Sequence, residues 1–244
     1  MIKITNVEIM NIKGAIRGMR NPMNSWDSSD SVVCFGDPRL EGCSGKCKFK
    51  KCCVNGFRIG NKDFDLAKRL VKAGTDHRKF MRQIMVSLDI TAPLYWWKEF
   101  DTYKVGTVAN STSTMHKITA KEFVLDDFSH DHLLYDSIKT LKGVIHDLNK
   151  WRDLYINGGQ AQVDEKDTAV YIFEPKDKNV WWQLIQLLPS SYNQTRTVTL
   201  NYEVLANIYR SRKGHKLDEW HNVCEWIESL PLSELITMNF SEEG

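Results

Sequence analysis

The sequence is short of several features that would settle its class at once. Within its 244 residues no apolar run reaches the ~18 residues a membrane span needs. The start, Met1-Ile2-Lys3-Ile4-Thr5-Asn6, has no apolar core of a secretion signal, so a cytoplasmic, reducing setting without disulfides is expected. Charge of one sign is also scarce. Lys and Arg number 33 against 31 Asp and Glu, a net charge of +2. That excludes the broad basic surface of a nucleic-acid polymer binder, but a nucleotide needs only a local basic pocket. No P-loop, Rossmann glycine fingerprint or nucleophile elbow occurs. His215, Asp218, Glu219 and His221 do not set two histidines four apart, so the metalloprotease helix pattern fails. No internal repeat or long low-complexity tract is visible.

What is present reads as a globular chain. It is 42% hydrophobic and 26% charged, and its length suits one domain with a full core. The six cysteines are unevenly spread: five fall between Cys34 and Cys53, and only Cys224 lies elsewhere. The stretch at about 34–58 reads as a Cys-rich insertion. Cys34, Cys43, Cys47, Cys52 and Cys53 are candidate zinc thiolates, favoured as thiolates by the lysines among them. The spacing matches no paired Cys-x-x-Cys pattern, so free thiols on a surface insertion are the plainer reading and no metal is assigned.

Apolar periodicity predicts the elements. Ile2, Ile4, Val7, Ile9 and Ile12 suggest a strand or two over 2–12. Residues 19–54 read as loop. Leu66, Ala67, Leu70 and Val71 share a helical face over 63–73, stopped by Gly74. Ile84, Val86, Leu88 and Ile90 alternate as in a half-buried strand, and Pro93 opens an aromatic helix over 94–100. The polar run 106–115 reads as loop. A long amphipathic helix is expected over 133–154, a turn at 164–167 and a strand over 169–173. Further helices fit 180–188, 200–212 and 217–230, the last closed by Pro231. The class is α/β, with helices predominating.

Three polar constellations stand out. His77 follows Gly74-Thr75-Asp76. Lys98-Glu99-Phe100-Asp101-Thr102-Tyr103-Lys104 is followed by Asn110-Ser111-Thr112-Ser113, a hydroxyl-rich loop of the kind whose N–H groups cradle phosphate. Asn201, Asn207 and Arg212 offer amides and a guanidinium suited to a pyrimidine edge. Ser129-His130-Asp131-His132 resembles a metal cluster, but Ser129 as the N-cap of the following helix explains it better. The tryptophan pairs at 96–97 and 181–182 read as core or interface anchors.

The order and spacing of these residues resemble the flavin-dependent thymidylate synthases. That family carries a His after a glycine-rich turn, a strand, and Ala-Pro opening a helix. The helix bears Arg-Gln-aromatic and then Arg-His-Arg, and a Ser follows seven or eight residues later. Here the order reads Asp76-His77, the 84–90 strand, Ala92-Pro93, Lys98-Glu99-Phe100-Asp101, Thr102-Tyr103-Lys104 and Ser113. Toward the C-terminus the family has Leu-Pro and then a helix with two Asn and an Arg. Here these are Leu188-Pro189, Asn201, Asn207 and Arg212. The resemblance covers most of 60–230 and rests on spacing more than identity.

The resemblance implies a single domain with a central, mostly antiparallel sheet flanked by helices. It implies reductive methylation of dUMP to dTMP, with FAD as cofactor and NADPH and methylenetetrahydrofolate as co-substrates. A homotetramer with active sites between subunits is implied as well. Arg212 and Ser113 take the catalytic positions. His77, Thr102, Tyr103, Lys104, Asn201 and Asn207 take the flavin side. Lys98, Glu99, Ser111, Thr112, Ser113 and Arg212 take the nucleotide side. The chain departs from the family at Thr102-Tyr103-Lys104, at Met115 where an Arg is expected, and at Ile185 where another phosphate-side Arg is expected. Lys104, Lys117 or Arg196 could supply the lost charge. The alternatives are a related flavoenzyme on another pyrimidine nucleotide and a non-catalytic binding protein on the same scaffold.

Overall fold

The structure, a computed structural model, describes residues 2–33, 53, 54, 56–162 and 170–238. The chain begins with β1 (Lys3–Met10), α1 (Ile12–Gly18) and the short strands β2 (Val32–Val33), β3 (Cys53–Val54) and β4 (Phe57–Arg58). Then come α2 (Asn61–Lys72), β5 (Met85–Pro93), α3 (Leu94–Phe100), β6 (Val108–Ser111), α4 (Thr114–Lys117) and α5 (Tyr135–Asn157). The remainder is β7 (Gly159–Gln162), β8 (Val170–Phe173), α6 (Lys178–Leu187), β9 (Asn193–Asn201), α7 (Tyr202–Arg212), α8 (Asp218–Ser229) and α9 (Glu234–Thr237). A central antiparallel sheet has the order β1-β5-β9-β6. A three-stranded sheet runs β2-β4-β3, and β7 pairs with β8.

The chain divides into two compact units. One comprises Met1–Lys3, Ile90–Thr102 and Asn110–Arg196; the other comprises Ile4–Asp89, Tyr103–Ala109 and Thr197–Gly244. In the first, α5 packs on α6. Leu141, Ile145 and Leu148 recur at three- and four-residue spacing on α5 and meet Leu184 of α6, with Phe123 and Phe128 in the same cluster. Helix α5 stops at Gly158, whose φ of 70° suits glycine. Trp96 and Trp97 of α3 are fully buried, as core anchors should be, and the Trp97 indole N–H donates to the Gln194 carbonyl at 2.9 Å.

In the second unit α7 packs against α8, α9 and the 79–83 turn. Nearly every residue of its first two turns is buried, so the helix needs a cap made by the protein itself. Asn201 supplies it: its Oδ1 accepts from the Val204 N–H at 3.0 Å. Gly106 lies against this cap with φ +78°, and a Cβ there would come 3.1 Å from the Asn201 Nδ2. On α2, Asp63, Ala67 and Val71 form the buried face at a spacing of four. The buried Asp63 carboxylate accepts from Arg20 Nε and Ser29 Oγ, each at 2.5 Å, and from the Ser31 hydroxyl.

Several sequence expectations need correction. Residues 106–115 are not all loop, because β6 occupies Val108–Ser111. All four of its side chains are exposed, so no apolar alternation marks it. The helix expected from Leu200 starts two residues later, because β9 runs to Asn201. Ser129 caps no helix: α5 begins at Tyr135 after Leu134. Instead the Ser129 N–H donates to the Ser191 carbonyl at 2.8 Å, and its hydroxyl meets the Tyr95 hydroxyl at 3.1 Å. Helix α1, apart from Ile12, and strand β7 fall between the predicted elements, in stretches to which the spacing assigns none.

Candidate functional site

Of the residues singled out in the sequence, the second unit holds His77, Tyr103, Lys104, Asn201, Asn207 and Arg212. Two of these lie in direct contact although far apart in sequence: Arg212 Nε donates to the Tyr103 hydroxyl at 2.8 Å. The Arg212 guanidinium carbon also sits 5.5 Å from the Tyr103 ring centroid and 4.9 Å from that of Trp220. The two rings meet edge to face, centroids 6.1 Å apart. A guanidinium between aromatic faces gains cation–π attraction and loses freedom, so its plane is fixed before any ligand arrives. Asn207, five residues back on α7 and half-buried, accepts weakly from Arg210 at 3.4 Å. Lys104 is exposed, and His77 is exposed on the 74–78 turn, its backbone N–H donating to the Gly74 carbonyl. Asn201 is buried and spends its Oδ1 on the cap.

The first unit holds Lys98, Glu99, Thr102, Ser111, Thr112 and Ser113. Lys98 is exposed and Glu99 half-buried on the last turn of α3, and the Thr102 hydroxyl donates to the Glu99 carbonyl at 2.8 Å. Thr112 is held at both backbone groups: its N–H donates to the Thr195 carbonyl at 2.9 Å, and its carbonyl accepts from Gln194 at 2.8 Å. Ser113 Oγ accepts from the His116 N–H at 3.0 Å, capping α4. Ser111 ends β6 and is exposed.

The positions where the resemblance expects a phosphate-side Arg have other uses here. Met115 is exposed, and Ile185 packs into the α5–α6 core. Arg196 is committed, with its Nη1 on Asp101 at 2.8 Å, its Nε on Gln194 at 3.0 Å and its guanidinium 4.2 Å from the Trp97 centroid. Lys104 and Lys117 make no ion pair among the described residues.

No protein-family profile matches the chain. No curated protein matches it either. Solved structures do match over nearly the whole length. One is the flavin-dependent thymidylate synthase ThyX of Helicobacter pylori complexed with FAD and dUMP, at 14% identity and TM-score 0.60, covering 96% of this chain and 97% of that one. A second ThyX structure from that organism, with FAD and dUMP, matches at 13% and 0.58 over 97% of both chains. The UMP/dUMP methylase PolB from Streptomyces cacaoi, bound with 5-Br dUMP, matches at 11% and 0.56 over 98% of this chain and 96% of that one. The fold is ThyX-like.

On this ThyX-like fold the second unit carries a cluster that no spacing in the sequence announced. Glu203, in the first turn of α7, accepts from Arg78 Nε at 3.1 Å and from Arg82 Nε. Glu203 and Arg78 are each 8% exposed. Arg82 is held above its usual pKa chiefly by its hydrogen bond to Glu203. The cluster ties the turn that follows His77 to the helix that carries Asn207 and Arg212. At the other end of α7, burial and then the Glu228 hydrogen bond raise the Tyr209 phenol, and burial pushes the Cys224 thiol up to about 11. The zinc candidates Cys43, Cys47 and Cys52, with Cys34, lie outside the described residues, as does the Cys53 side chain. Among the described residues no group of His, Cys, Asp and Glu is placed to hold a metal, the 129–132 stretch included.

Proposed function

We propose that the chain is a flavin-dependent enzyme that reductively methylates a pyrimidine nucleotide, dUMP to dTMP, in the cytoplasm as a homotetramer. The observation that carries this reading is the Arg212–Tyr103 contact. Residues 109 apart in the chain, both assigned to one site by their order in the sequence, share a hydrogen bond at 2.8 Å. The match in fold to enzymes solved with FAD and dUMP supports it.

The donors of the second unit fit a flat heteroaromatic group. Arg212 and Tyr103 present a guanidinium and a phenol already oriented by stacking, and Asn207 adds a half-buried carboxamide. His77, Thr102, Tyr103, Lys104, Asn201 and Asn207 would hold FAD, with Asn201 acting through its Nδ2 and by starting α7. Held by these residues, FAD would supply the hydride, with NADPH as its reductant and methylenetetrahydrofolate as the carbon source. Arg212 stabilises the negative charge that develops on the pyrimidine ring. Tyr103 keeps the guanidinium in place for that task. Lys98, Glu99, Ser111, Thr112 and Ser113 address the nucleotide. The Ser113 hydroxyl, already accepting from His116, retains its proton to donate to a phosphate oxygen.

A second substrate is favoured by one observation. Met115 and Ile185 replace two phosphate-side cations, and Ile185 is a core residue that cannot serve a phosphate. A related pyrimidine nucleotide, bound with fewer phosphate contacts, follows from that.

The test is purification and titration. The protein should co-purify with flavin or take up FAD stoichiometrically, and should form dTMP from dUMP with methylenetetrahydrofolate and NADPH. No flavin uptake would sink the reading. Turnover of another pyrimidine nucleotide in preference to dUMP would select the second substrate.

A further inference from the structure

The first unit contains a cavity that none of the residues above lines. It has a volume of about 410 Å³ and lies among α5, the β7–β8 hairpin and α6. Its walls are aromatic: Trp151 from α5, and Tyr171 and Phe173 from β8. Three carboxamides, Gln162, Asn179 and Gln183, stand around them, and none of the lining residues among those described is charged.

The hairpin register explains why there is space. Ala161 pairs with Tyr171, and Gly159 with Phe173. Partners directly opposite project to the same face of a two-stranded sheet. The two large rings therefore stand opposite a methyl group and a hydrogen, and no cross-strand side chain fills the volume between them and the helices. Nor can a larger residue be placed at 159, where φ is +149° and a Cβ would come 2.8 Å from Leu154. An apolar void of this kind would cost stability if it served only as core. This one has polar edges. Gln183 Nε2 donates to the Asn179 carbonyl at 3.2 Å, which fixes the amide and leaves its Oε1 without a protein partner among the described residues. The side-chain amide of Asn179 has no protein partner among them either.

Aromatic faces stack flat rings, and carboxamides pair with an edge that carries one donor and one acceptor. The volume falls within the ~300–1,000 Å³ range of small-molecule sites. We propose that this cavity binds a neutral, flat heteroaromatic ring with an amide-like edge, the class of a nucleobase. Among the described lining residues there is no cation, so the ring is the feature they would recognise. The inference does not rest on the proposed reaction, since it uses neither its residues nor its cofactor.

Adenosine, which has no phosphate, is the probe, and calorimetric titration of the full chain is the measurement. Saturable binding is expected. Tyr171 is 47% exposed, so Tyr171→Leu can keep the fold while removing the ring. It should weaken adenosine about tenfold or more, the usual effect of losing a stacked base. Gln183→Leu, which removes the amide, should weaken it about fivefold. Circular dichroism of each variant checks the fold. Absence of saturable binding by the unaltered protein would overturn the proposal, as would equal affinity in both variants. Loss in Tyr171→Leu alone would overturn the assignment of a base edge.

Discussion

The two ends of α7 hold arginines in opposite ways. At the first turn, Arg78 and Arg82 bind one buried carboxylate, Glu203. At the last turn, Arg212 lies over the rings of Tyr103 and Trp220 and donates to a phenol. The first arrangement is an anchor. A buried charge is tolerated only with its partner, so the cluster holds the 78–82 turn against the helix and has little left to offer a ligand. The second arrangement is an orientation device. Stacking fixes the plane of the guanidinium, which in the proposed function faces the pyrimidine ring. One helix thus carries a structural end and an end that the proposed function assigns to chemistry.

The largest expected effect tests the anchor. Glu203→Ala leaves the buried Arg78 without its carboxylate and should destabilise the protein by about 3–5 kcal/mol, read as a lower urea midpoint. A loss below about 1 kcal/mol would mean the cluster is not an anchor. The complementary change is Arg212→Ala, which should abolish turnover while costing only about 1 kcal/mol of stability, because a partly exposed stacked cation contributes little to the fold. Retained turnover, or unfolding of this variant, would erase the distinction between the ends.

Asn201→Ala sharpens the comparison more gently. It removes the cap of α7 and should cost about 1 kcal/mol in thermal unfolding, with flavin affinity falling in step if Asn201 also serves the flavin. The effect that is smallest at neutral pH, and appears only in alkaline solution, concerns the C-terminal end. Cys224 is shifted from 9.0 to about 11 by burial, with Glu228 adding to it. The unfolded chain therefore releases this proton first. The stability that Cys224 contributes is whole below pH 9.0 and falls as pH rises toward about 11. Cys224→Ala should flatten that part of a denaturation–pH profile.

Much of the fold could be read from periodicity. The buried alternation of β5, the aromatic helix after Pro93 and the amphipathic α5 lie close to where their apolar spacing puts them. Strand β6 was illegible because all its side chains are exposed, so only backbone pairing defines it. Strand β9 has a legible alternation, Thr195, Thr197 and Thr199 against Arg196, Val198 and Leu200, but the apolar residues at its end read equally well as a helix start. The site divides in the same way. Tyr103 and Arg212 were reached through their order along the chain. Glu203, Arg78 and Arg82 were not, since a Glu in the first turn of a helix ordinarily signals a solvated dipole partner.

The sequence by itself determined where the helices and the alternating strands lie, because burial of a periodic face needs only local spacing. It also set the kinds of donor on offer, since Arg212, Tyr103 and Asn207 bring their chemistry wherever they stand. Tertiary structure alone decided which charges are spent. Glu203 became an anchor because two arginines more than a hundred residues earlier, Arg78 buried and Arg82 part-exposed, reach it. Arg212 became oriented because Tyr103 and Trp220 close on it from different parts of the chain. Long-range pairing of this kind leaves no period in the sequence, and desolvation, which fixes the worth of each charge, exists only once the chain has folded.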